Sequence, residues 1–442
     1  MGAKLYPAYK DSGVEWIGEI PEHWEVKRIK QAAHVQLGKM LQPESSTFSD
    51  LLMPYLRSVN VQDSSVSLDD VKQMWASPYE VSQYSLRSGD VLVNEGGDVG
   101  RCCLLTDDLP STVFQMSINR LRPLNNGSPG LLFYWMKFLR ETGYVELICN
   151  KSTIAHFTAE KVARSPLFLP PLEEQKLIAS FLDRETGKID TLVAQQQQLI
   201  RLLKEKRQSL ISHTVTKGLN PNVRMKDSGV EWIGEIPEHW EVRKVGRSCV
   251  VSPKRNKYLL SNLEQMVCFL PMTAFSNDGM ADYSNEVALQ SVINGYTYME
   301  FGDIAISKVT PCFENGKGAR LSDMPTKVGF GTTEVTAIRP LHMSGDFVFY
   351  LFRIPEVIDL GVSWMYGVGG LQRIPDAFFE QLEAPFPPLE EQKQVAAFLD
   401  TETSKIDELV IKANQSIALL KERRSSLISA AVTGKIDVRE AA

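Results

Sequence analysis

Two copies of a Glu-x-Lys pair are the residues whose spacing most resembles a catalytic site. Glu174 and Lys176 form the first pair, and Glu391 and Lys393 form the second. Similar pairs occur in the catalytic sites of metal-dependent nucleases. Here both pairs follow a double proline and open a predicted helix, where acidic residues suit the helix dipole, and no strand-borne Asp precedes them. The pattern therefore favours a helix start over a nuclease centre.

The sequence also lacks other catalytic motifs. The run NEGGDVG (94–100) does not fit the dinucleotide fingerprint, and no G-x-x-x-x-G-K-[ST] phosphate loop occurs. The Asn/Asp-Pro-Pro-Tyr/Phe signature of amino-methyltransferases is also missing. The six histidines form neither a metal cluster nor part of a Ser-His-Asp constellation that spacing can identify. We expect the chain to be non-catalytic, with no cofactor or metal of its own.

The cysteines and the apolar runs indicate the cellular compartment. The six cysteines include no C-x-x-C pair, which leaves zinc binding and a disulfide framework unsupported. We expect reduced, mostly buried thiols. No apolar run reaches the length of about 18 to 20 residues that a membrane span needs, and residues 1–9 lack the apolar core of a signal peptide. A cytoplasmic protein with no membrane partner is expected.

The elements that must position any site come from an internal duplication. Residues 10–26, KDSGVEWIGEIPEHWEV, return unchanged at 226–242, and we call each copy the leading segment. A second repeat begins PPLEEQK at Pro170 and returns at Pro387. Two copies with a period this long form a pseudo-dimer within one chain and not a solenoid. The repeats divide the chain into residues 1–168, 169–225, 226–385 and 386–442.

The second repeat predicts a long helix in each half. Its apolar positions recur with a period near 3.5, which is typical of helices that pair as a coiled coil. They are Ile189, Val193, Ile200, Leu203 and Leu210, and then Ile406, Val410, Ile417, Leu420 and Leu427. An antiparallel pair would hold two domains roughly 45 Å apart if each helix had about 30 residues. The pair is either a packing device alone or also a surface that a duplicated partner uses twice.

Between the repeats lie two regions with little mutual identity, residues 27–168 and 243–385. Short strand patterns around turn glycines occur at 86–105 and 298–321, and weaker helical patterns at 130–140 and 346–354. The few shared anchors include Gly89-Asp90 and Gly302-Asp303. We therefore predict an α+β fold: two mixed α/β domains separated by a pair of long antiparallel helices, with internal pseudo-two-fold symmetry.

Charge is distributed unevenly along the chain. The formal net charge of −6 argues against a nucleic-acid partner. However, no acidic residue occurs between Glu25 and Glu44 or between Glu241 and Glu264, and both stretches contain several basic residues. These acid-free runs follow the leading segments at corresponding places. They are either phosphate-binding segments or solvated loops.

Several of these motifs together resemble one known family. The leading segment, the glycine turns of GDVLVNEGGDVG, the run STIAHFTAEKV before LPPLEEQ, and the FLD-x-E-T-x-KID helix are similar to type I restriction specificity subunits. In the second half, ISKVTPCFENGKGA and GLQRI are also similar to that family. The resemblance implies two target-recognition domains, a double-stranded DNA target and docking of two methyltransferase subunits, with restriction subunits joining through the complex. S-adenosylmethionine, ATP and magnesium would belong to those partners.

Candidate contact residues follow from this reading. For phosphates, where Lys and Arg position a duplex, they are Lys39, Lys254, Arg255 and Lys257. For base edges, where bidentate side chains read the major groove, they are Arg57, Asn60, Gln62, Ser152, Thr153, Lys308, Asn315, Lys317, Gln372 and Arg373. For partner subunits, charged helix positions nearly identical in the two copies are Lys204, Glu205, Arg207, Lys421, Glu422 and Arg424.

Two other classes of function remain open from the sequence. The acidic total favours a coiled-coil scaffold whose variable domains bind proteins, whereas the paired basic runs favour DNA. A self-contained modification or cleavage enzyme is disfavoured by the missing motifs. A salt-dependent duplex shift would separate the first two classes, and incubation with S-adenosylmethionine and DNA would test the third.

Overall fold

The chain divides into two compact units in a computed structural model that describes residues 4–149, 155–256, 262–368 and 370–439. Unit 1 comprises Met1–Gln197 and Gln415–Ala442, and unit 2 comprises Gln198–Asn414. The boundary crosses both long helices. Each unit therefore combines one variable region with helical residues from both repeats.

Unit 1 is built from short strands and helices around a central antiparallel sheet. The strands are β1 (Tyr9–Asp11), β2 (Glu19–Pro21), β3 (Glu25–Arg28), β4 (Ala33–Leu37), β5 (Leu51–Leu56), β6 (Lys72–Ala76), β7 (Val91–Asn94), β8 (Cys102–Leu104), β9 (Val113–Phe114), β10 (Ile118–Pro123) and β11 (Pro166–Leu169). The short helices are α1 (Pro78–Tyr84), α2 (Pro129–Glu141), α3 (Tyr144–Ile148) and α4 (Ala159–Arg164). The central sheet has the order β4-β10-β7-β8, and a three-stranded sheet has the order β6-β5-β9.

Unit 2 repeats this plan with different lengths. After helix α5 (Leu172–Lys217), its strands are β12 (Met225–Asp227), β13 (Glu235–Pro237), β14 (Glu241–Lys244), β15 (Cys249–Val251), β16 (Met266–Leu270), β17 (Glu286–Ala288), β18 (Thr297–Glu300), β19 (Ile304–Ser307), β20 (Gly318–Arg320), β21 (Val328–Gly331), β22 (Val335–Pro340), β23 (Tyr366–Val368), β24 (Leu371–Arg373) and β25 (Glu383–Phe386). Its helices are α6 (Leu289–Val292), α7 (Gly345–Leu351), α8 (Pro355–Ser363) and α9 (Asp376–Gln381), before α10 (Leu389–Val432). The sheet β15-β22-β19-β20 corresponds to the central sheet of unit 1, and a second sheet has the order β17-β16-β21-β18.

These elements confirm the predicted α+β class. The strand patterns at 86–105 and 298–321 become β7, β8, β18, β19 and β20, and the helical patterns become α2 and α7. Helix α2 begins where Ser128 Oγ accepts a hydrogen bond from the backbone N–H of Leu131 at 3.2 Å, which is a normal N-cap.

The shared anchors in the variable regions are buried ion pairs. Asp90 is buried directly before β7 and accepts two hydrogen bonds from the Arg122 guanidinium on β10, at 2.6 and 2.7 Å. Asp303 and Arg339 form the same bidentate pair in unit 2, at 2.8 and 2.9 Å. Because a buried carboxylate needs a partner, both units keep this pair although most of their other residues differ.

Helices α5 and α10 run 46 and 44 residues, longer than the predicted 30 or so. In unit 1, the start of α5 and the chain just after α10 both lie against Trp24. The Trp24 indole N–H donates a hydrogen bond to Glu174. Gly434 packs so closely against the indole ring that a Cβ added to this glycine would lie 3.2 Å from it. Farther along, Arg424 pairs with Asp190 at 2.9 Å, so the two segments are antiparallel. All ten predicted stripe residues are buried or half-buried.

The leading segment is locked to the first turn of the long helix by one carboxylate. Glu174 is 5% exposed and accepts hydrogen bonds from Tyr6 Oη at 2.7 Å and Trp24 Nε1 at 2.9 Å, with His23 Nε2 at 2.8 Å from its second oxygen. Burial and then the hydrogen bond to Glu174 raise the pKa of Tyr6. These contacts explain why the segment and the PPLEEQ helix start are repeated together.

In unit 2 the corresponding carboxylate, Glu391, has fewer hydrogen-bond partners than Glu174. It accepts from Trp240 Nε1 at 3.0 Å and approaches His239 Nε2 at 2.9 Å. Its side chain is 25% exposed, compared with 6% for Glu174. Asn222 stands where unit 1 has Tyr6, so the third hydrogen bond has no counterpart.

The prediction of mostly buried cysteines is confirmed. All six are free thiols, and only Cys312 is partly exposed. Burial raises the pKa of Cys102, Cys103 and Cys249 to about 12. Within the described ranges, no cluster of three or more His, Cys, Asp or Glu residues could hold a metal ion. No helix there is long and apolar enough to cross a membrane.

We expect Glu174→Ala to lower the free energy of unfolding by roughly 2–3 kcal/mol, because it leaves the Tyr6 and Trp24 donors buried without an acceptor. Glu391→Ala should cost about 1 kcal/mol, because fewer donors lose their partner and water reaches the site. Urea titrations followed by tryptophan fluorescence measure both. Glu173→Ala, on the same helical turn but exposed, is the control and should match the parent chain. Equal losses for the two glutamates would contradict this account.

Candidate nucleic-acid interface

Three strands of unit 1 end close together. The Asn94 side-chain amide at the end of β7 donates to Ser58 O, just after β5, at 3.0 Å. The Ser58 N–H donates to Ser117 Oγ, just after β9, at 3.2 Å. The Glu95 N–H donates to Ser117 O at 2.9 Å. Residues from three separate segments of the sequence therefore share one small surface.

A fourth segment completes this surface. The Phe157 N–H donates to Glu95 O at 2.9 Å and brings the preceding residue, His156, beside the strand ends. We call Ser58, Glu95, Ser117 and His156 the first strand-end surface. His156 is exposed, and its imidazole lies against Gly96, where a Cβ would be in ordinary van der Waals contact with the ring at 3.6 Å.

Glu95 is the charged group at the centre of the first strand-end surface. Its side chain is 14% exposed, and Oε1 lies 4.0 Å from His156 Nδ1. Burial raises the pKa of Glu95, and the nearby imidazole offsets part of that rise. Among the described residues, its carboxylate receives no hydrogen bond from another side chain. It therefore retains acceptor capacity for a donor from outside the chain.

Unit 2 has the same backbone arrangement. The Lys308 N–H, just after β19, donates to Glu334 O at 2.9 Å, and the Ile374 N–H donates to Lys308 O at 2.8 Å. Arg373 precedes Ile374 as His156 precedes Phe157. We call Lys308, Glu334 and Arg373 the second strand-end surface.

The second strand-end surface is a connected polar network. Asp376 accepts hydrogen bonds from Ser252 Oγ at 2.7 Å, Lys308 Nζ at 3.2 Å and Thr336 Oγ1 at 3.3 Å. Burial alone would raise the pKa of Asp376, but these hydrogen bonds and the Lys308 charge lower it. The Arg373 guanidinium pairs with Glu334, with Nε 3.1 Å from Oε2. The donors of this surface are thus held in fixed orientations.

A small hairpin, β23–β24, adjoins the second strand-end surface. Its exposed side chains include Tyr366, Val368 and Leu371. Thr310 fixes the hairpin, because its hydroxyl donates to Gly370 O at 2.8 Å and accepts from the Gln372 N–H at 3.0 Å. A two-stranded ribbon of this kind fits the DNA major groove.

The candidates after β5 have structural partners. The Asn60 side chain is 2% exposed, and its amide donates to Ser67 O and Asp70 O at 3.0 and 3.1 Å. Arg57 pairs with Asp70 at 2.6 Å. The structure thus places the Asn60 amide inside a loop and not at the surface. Gln62 is exposed and donates to Val59 O at 2.7 Å.

The phosphate candidates differ in their exposure to solvent. Lys39 is buried and donates to Glu80 and Gln42 at 2.6 and 2.9 Å, so the structure places its ammonium away from the solvent-facing role expected of it. Lys254 and Arg255 are exposed, and Arg255 donates to Ile293 O and to Asn294 Oδ1.

The remaining unit 2 candidates lie near the second strand-end surface. Asn315 is exposed, and the Lys317 carbonyl accepts from the Ser307 N–H at 3.0 Å, opposite the end of β19. Gln372 and Arg373 lie on β24. Ser152, Thr153 and Lys257 lie outside the described residues.

The helix candidates divide into two groups. Lys204, Glu205, Lys421 and Glu422 are exposed. Arg207 and Arg424 are half-buried, and each forms an ion pair within the chain. In unit 2 Arg207 pairs with Asp407 at 3.2 Å, and in unit 1 their repeat counterparts, Arg424 and Asp190, pair at 2.9 Å.

The sequence reading missed the residues that the strand ends bring together, namely Glu95, Ser117, His156, Glu334 and Asp376. One signal was available. Glu95 and Lys308 both follow the strand that begins after a shared Gly-Asp anchor, so alignment on those anchors pairs them. The partner segments could not be paired in this way, because they lie far away in the sequence.

Comparison with known proteins shows what this chain is similar to. The model of the type I restriction modification DNA specificity domain matches residues 21–201. The type I restriction enzyme EcoAI specificity subunit of Escherichia coli is 37% identical over 164 residues, which cover 36% of this chain and only 27% of that relative. The putative type I restriction enzyme MjaX specificity subunit of Methanocaldococcus jannaschii is 26% identical over 445 residues, covering 96% of each chain. By these comparisons the chain is similar to type I restriction specificity subunits.

A solved structure has a similar fold along nearly the whole length of this chain. It was described for the complex assembly and conformational transition of a type I R-M system, and one of its chains matches with a TM-score of 0.70 at 15% identity. The match covers 94% of this chain and 99% of that chain. At this identity the likeness concerns the fold alone.

If Lys254 and Arg255 contact phosphates, replacing both with Ala should weaken binding of the assembled complex to all duplexes alike. The slope of log affinity against log salt should shrink by up to about 2 units, because each phosphate contact contributes about 0.9. Fluorescence anisotropy across a salt series measures this slope. Lys39→Ala is the control and should leave the slope unchanged, since its ammonium is buried against Glu80. An unchanged slope in the double variant would identify the segment as a solvated loop.

Proposed function

We propose that this chain reads a bipartite, asymmetric DNA target and performs no catalysis itself. One observation carries the proposal: the two units share a backbone plan, yet they present different side chains at matched strand ends. Two units with the same backbone plan but different side chains at the strand ends should recognise two different half-sites. The half-sites would be separated by a gap of unspecified bases, in contrast to the palindromes that dimers of identical subunits read.

The chemistry of the strand-end surfaces supports DNA as the ligand. Arg and Lys donate to guanine O6 and N7, and a carboxylate accepts from the cytosine amino group. The first surface offers Glu95 as an acceptor, and the second offers Lys308 and Arg373 as donors. The adjoining β23–β24 hairpin supplies a ribbon for the groove.

The partners in this proposal are two methyltransferase subunits, through which restriction subunits join. Most phosphate neutralisation would come from these partners, because the chain itself carries a net charge of −6. S-adenosylmethionine, ATP and magnesium would be bound by the partners, and the complex would act in the cytoplasm. One partner subunit would dock on Lys204 and Glu205, and the other on Lys421 and Glu422. Each pair is exposed, and the two pairs are repeat copies.

A domain exchange tests the bipartite target. Replacing residues 27–168 with the first variable region of another family member should change one half-site and leave the other intact, because each unit carries its own central sheet. Methylome sequencing of a host carrying the chimeric subunit and its methyltransferase gives the new motif. A continuous palindrome for the parent chain, or a change in both half-sites, would contradict the proposal.

Charge reversals test the two docking positions. Lys204→Glu and Lys421→Glu should each reduce the methyltransferase subunits bound per chain from two to one, and the double variant should bind neither tightly. Native mass spectrometry counts the subunits. Lys217→Glu is the matched control on the same helix, because its repeat counterpart is Gly434 and it belongs to no duplicated surface. Loss of both subunits from either single variant would argue against two independent docking positions.

A further inference from the structure

Glu95 and Lys308 occupy the same structural position in their units. Each is the first residue after the central strand that follows the shared Gly-Asp anchor. In each case the backbone N–H donates across the sheet at 2.9 Å, and the backbone C=O accepts from a distant segment, at 2.9 Å in unit 1 and 2.8 Å in unit 2. The two side chains therefore leave the backbone at equivalent points.

At this position the charge is inverted. Unit 1 has the carboxylate of Glu95, and unit 2 has the ammonium of Lys308. The surroundings change with it: Ser117 in unit 1 is replaced by Glu334 in unit 2, and His156 is replaced by Arg373. The acceptor that orients Lys308, Asp376, stands where unit 1 has an alanine.

Stability does not explain this inversion. Where the fold requires a charged pair, both units keep it, as Asp90 with Arg122 and Asp303 with Arg339 show. Among the residues that the structure describes, Glu95 has no such partner: the cation-forming group that it approaches there is His156, at 4.0 Å, and its side chain is 14% exposed. A carboxylate that is mostly withdrawn from water without hydrogen bonds to it loses stability. Its retention at a strand end next to exposed residues points to a ligand donor.

We propose that Glu95 and Lys308 are paired specificity-determining residues of opposite hydrogen-bonding sign. Glu95 accepts a hydrogen bond from the exocyclic amino group of cytosine in one half-site, and Lys308 donates to guanine O6 or N7 in the other. This inference rests on the proposed function, since it names the bases that the two units read. At this position after the central strand, the two units would therefore read different bases.

Glu95→Gln in the assembled complex tests the first assignment. Gln keeps the shape of Glu but pairs with adenine N6 and N7. Preference for cytosine at one position of one half-site should fall roughly tenfold to a hundredfold, in favour of adenine, because a good base-edge pair gives discrimination of that order. The probe is a duplex library randomised at both half-sites, methylated with S-adenosylmethionine and then sequenced. Glu160→Gln, an exposed carboxylate of the same unit paired with Arg164, is the matched control and should leave all preferences unchanged.

Lys308→Met tests the second assignment in the same assay and should reduce a guanine preference in the other half-site only. Thermal unfolding of each variant, with a midpoint near that of the parent, separates reading from folding. A uniform loss across all library members, or an unchanged preference at every position, would overturn the inference. Failure of the proposed function has a different signature, because the parent complex itself would then show no bipartite target in the library.

Discussion

The structure depends on each unit completing its core with helix residues from the other repeat. The core of unit 1 includes Ile428, Ala431 and Val432 from α10, and the core of unit 2 includes Ile211 and Val215 from α5. Neither repeat could bury its own apolar stripe alone, and burial of such side chains contributes about 1.5–3 kcal/mol each. In this chain each half therefore supplies the packing partner that the other half lacks.

This exchange limits where the sequence can vary. Asp190 pairs with Arg424 and Asp407 with Arg207, so a change in either helix affects both units. The leading segment is limited in the same way by Glu174 and Glu391. At Glu95 and Lys308 the backbone hydrogen bonds are the same although the two side chains differ, so the backbone there does not depend on which side chain it carries. Specificity can therefore diverge in one unit without disturbing the other.

The sequence predicted the parts of the fold that local patterns determine. The helix stripe, exemplified by Leu203, and the turn glycines around β7 needed only spacing and residue type. The site was harder to predict, because Ser58, Ser117 and His156 meet Glu95 only through strand order. Lys39 was assigned to phosphate for the same reason: its partner Glu80 lies 41 positions away, and nothing in the basic run indicates that an acidic helix residue covers it. Contacts between distant segments determined both the composition of the first strand-end surface and the burial of Lys39.

The net negative charge of the chain is compatible with DNA recognition. In unit 2 the reading cations are already paired, Lys308 with Asp376 and Arg373 with Glu334, which fixes their geometry before any ligand arrives. Fixed donors lose less conformational entropy on binding than free ones, whereas attraction to phosphate depends on unpaired charge. A chain arranged in this way gains specificity at the cost of general affinity. Such a chain suits a division of labour in which a partner supplies the affinity for the backbone and the strand ends supply the choice of bases.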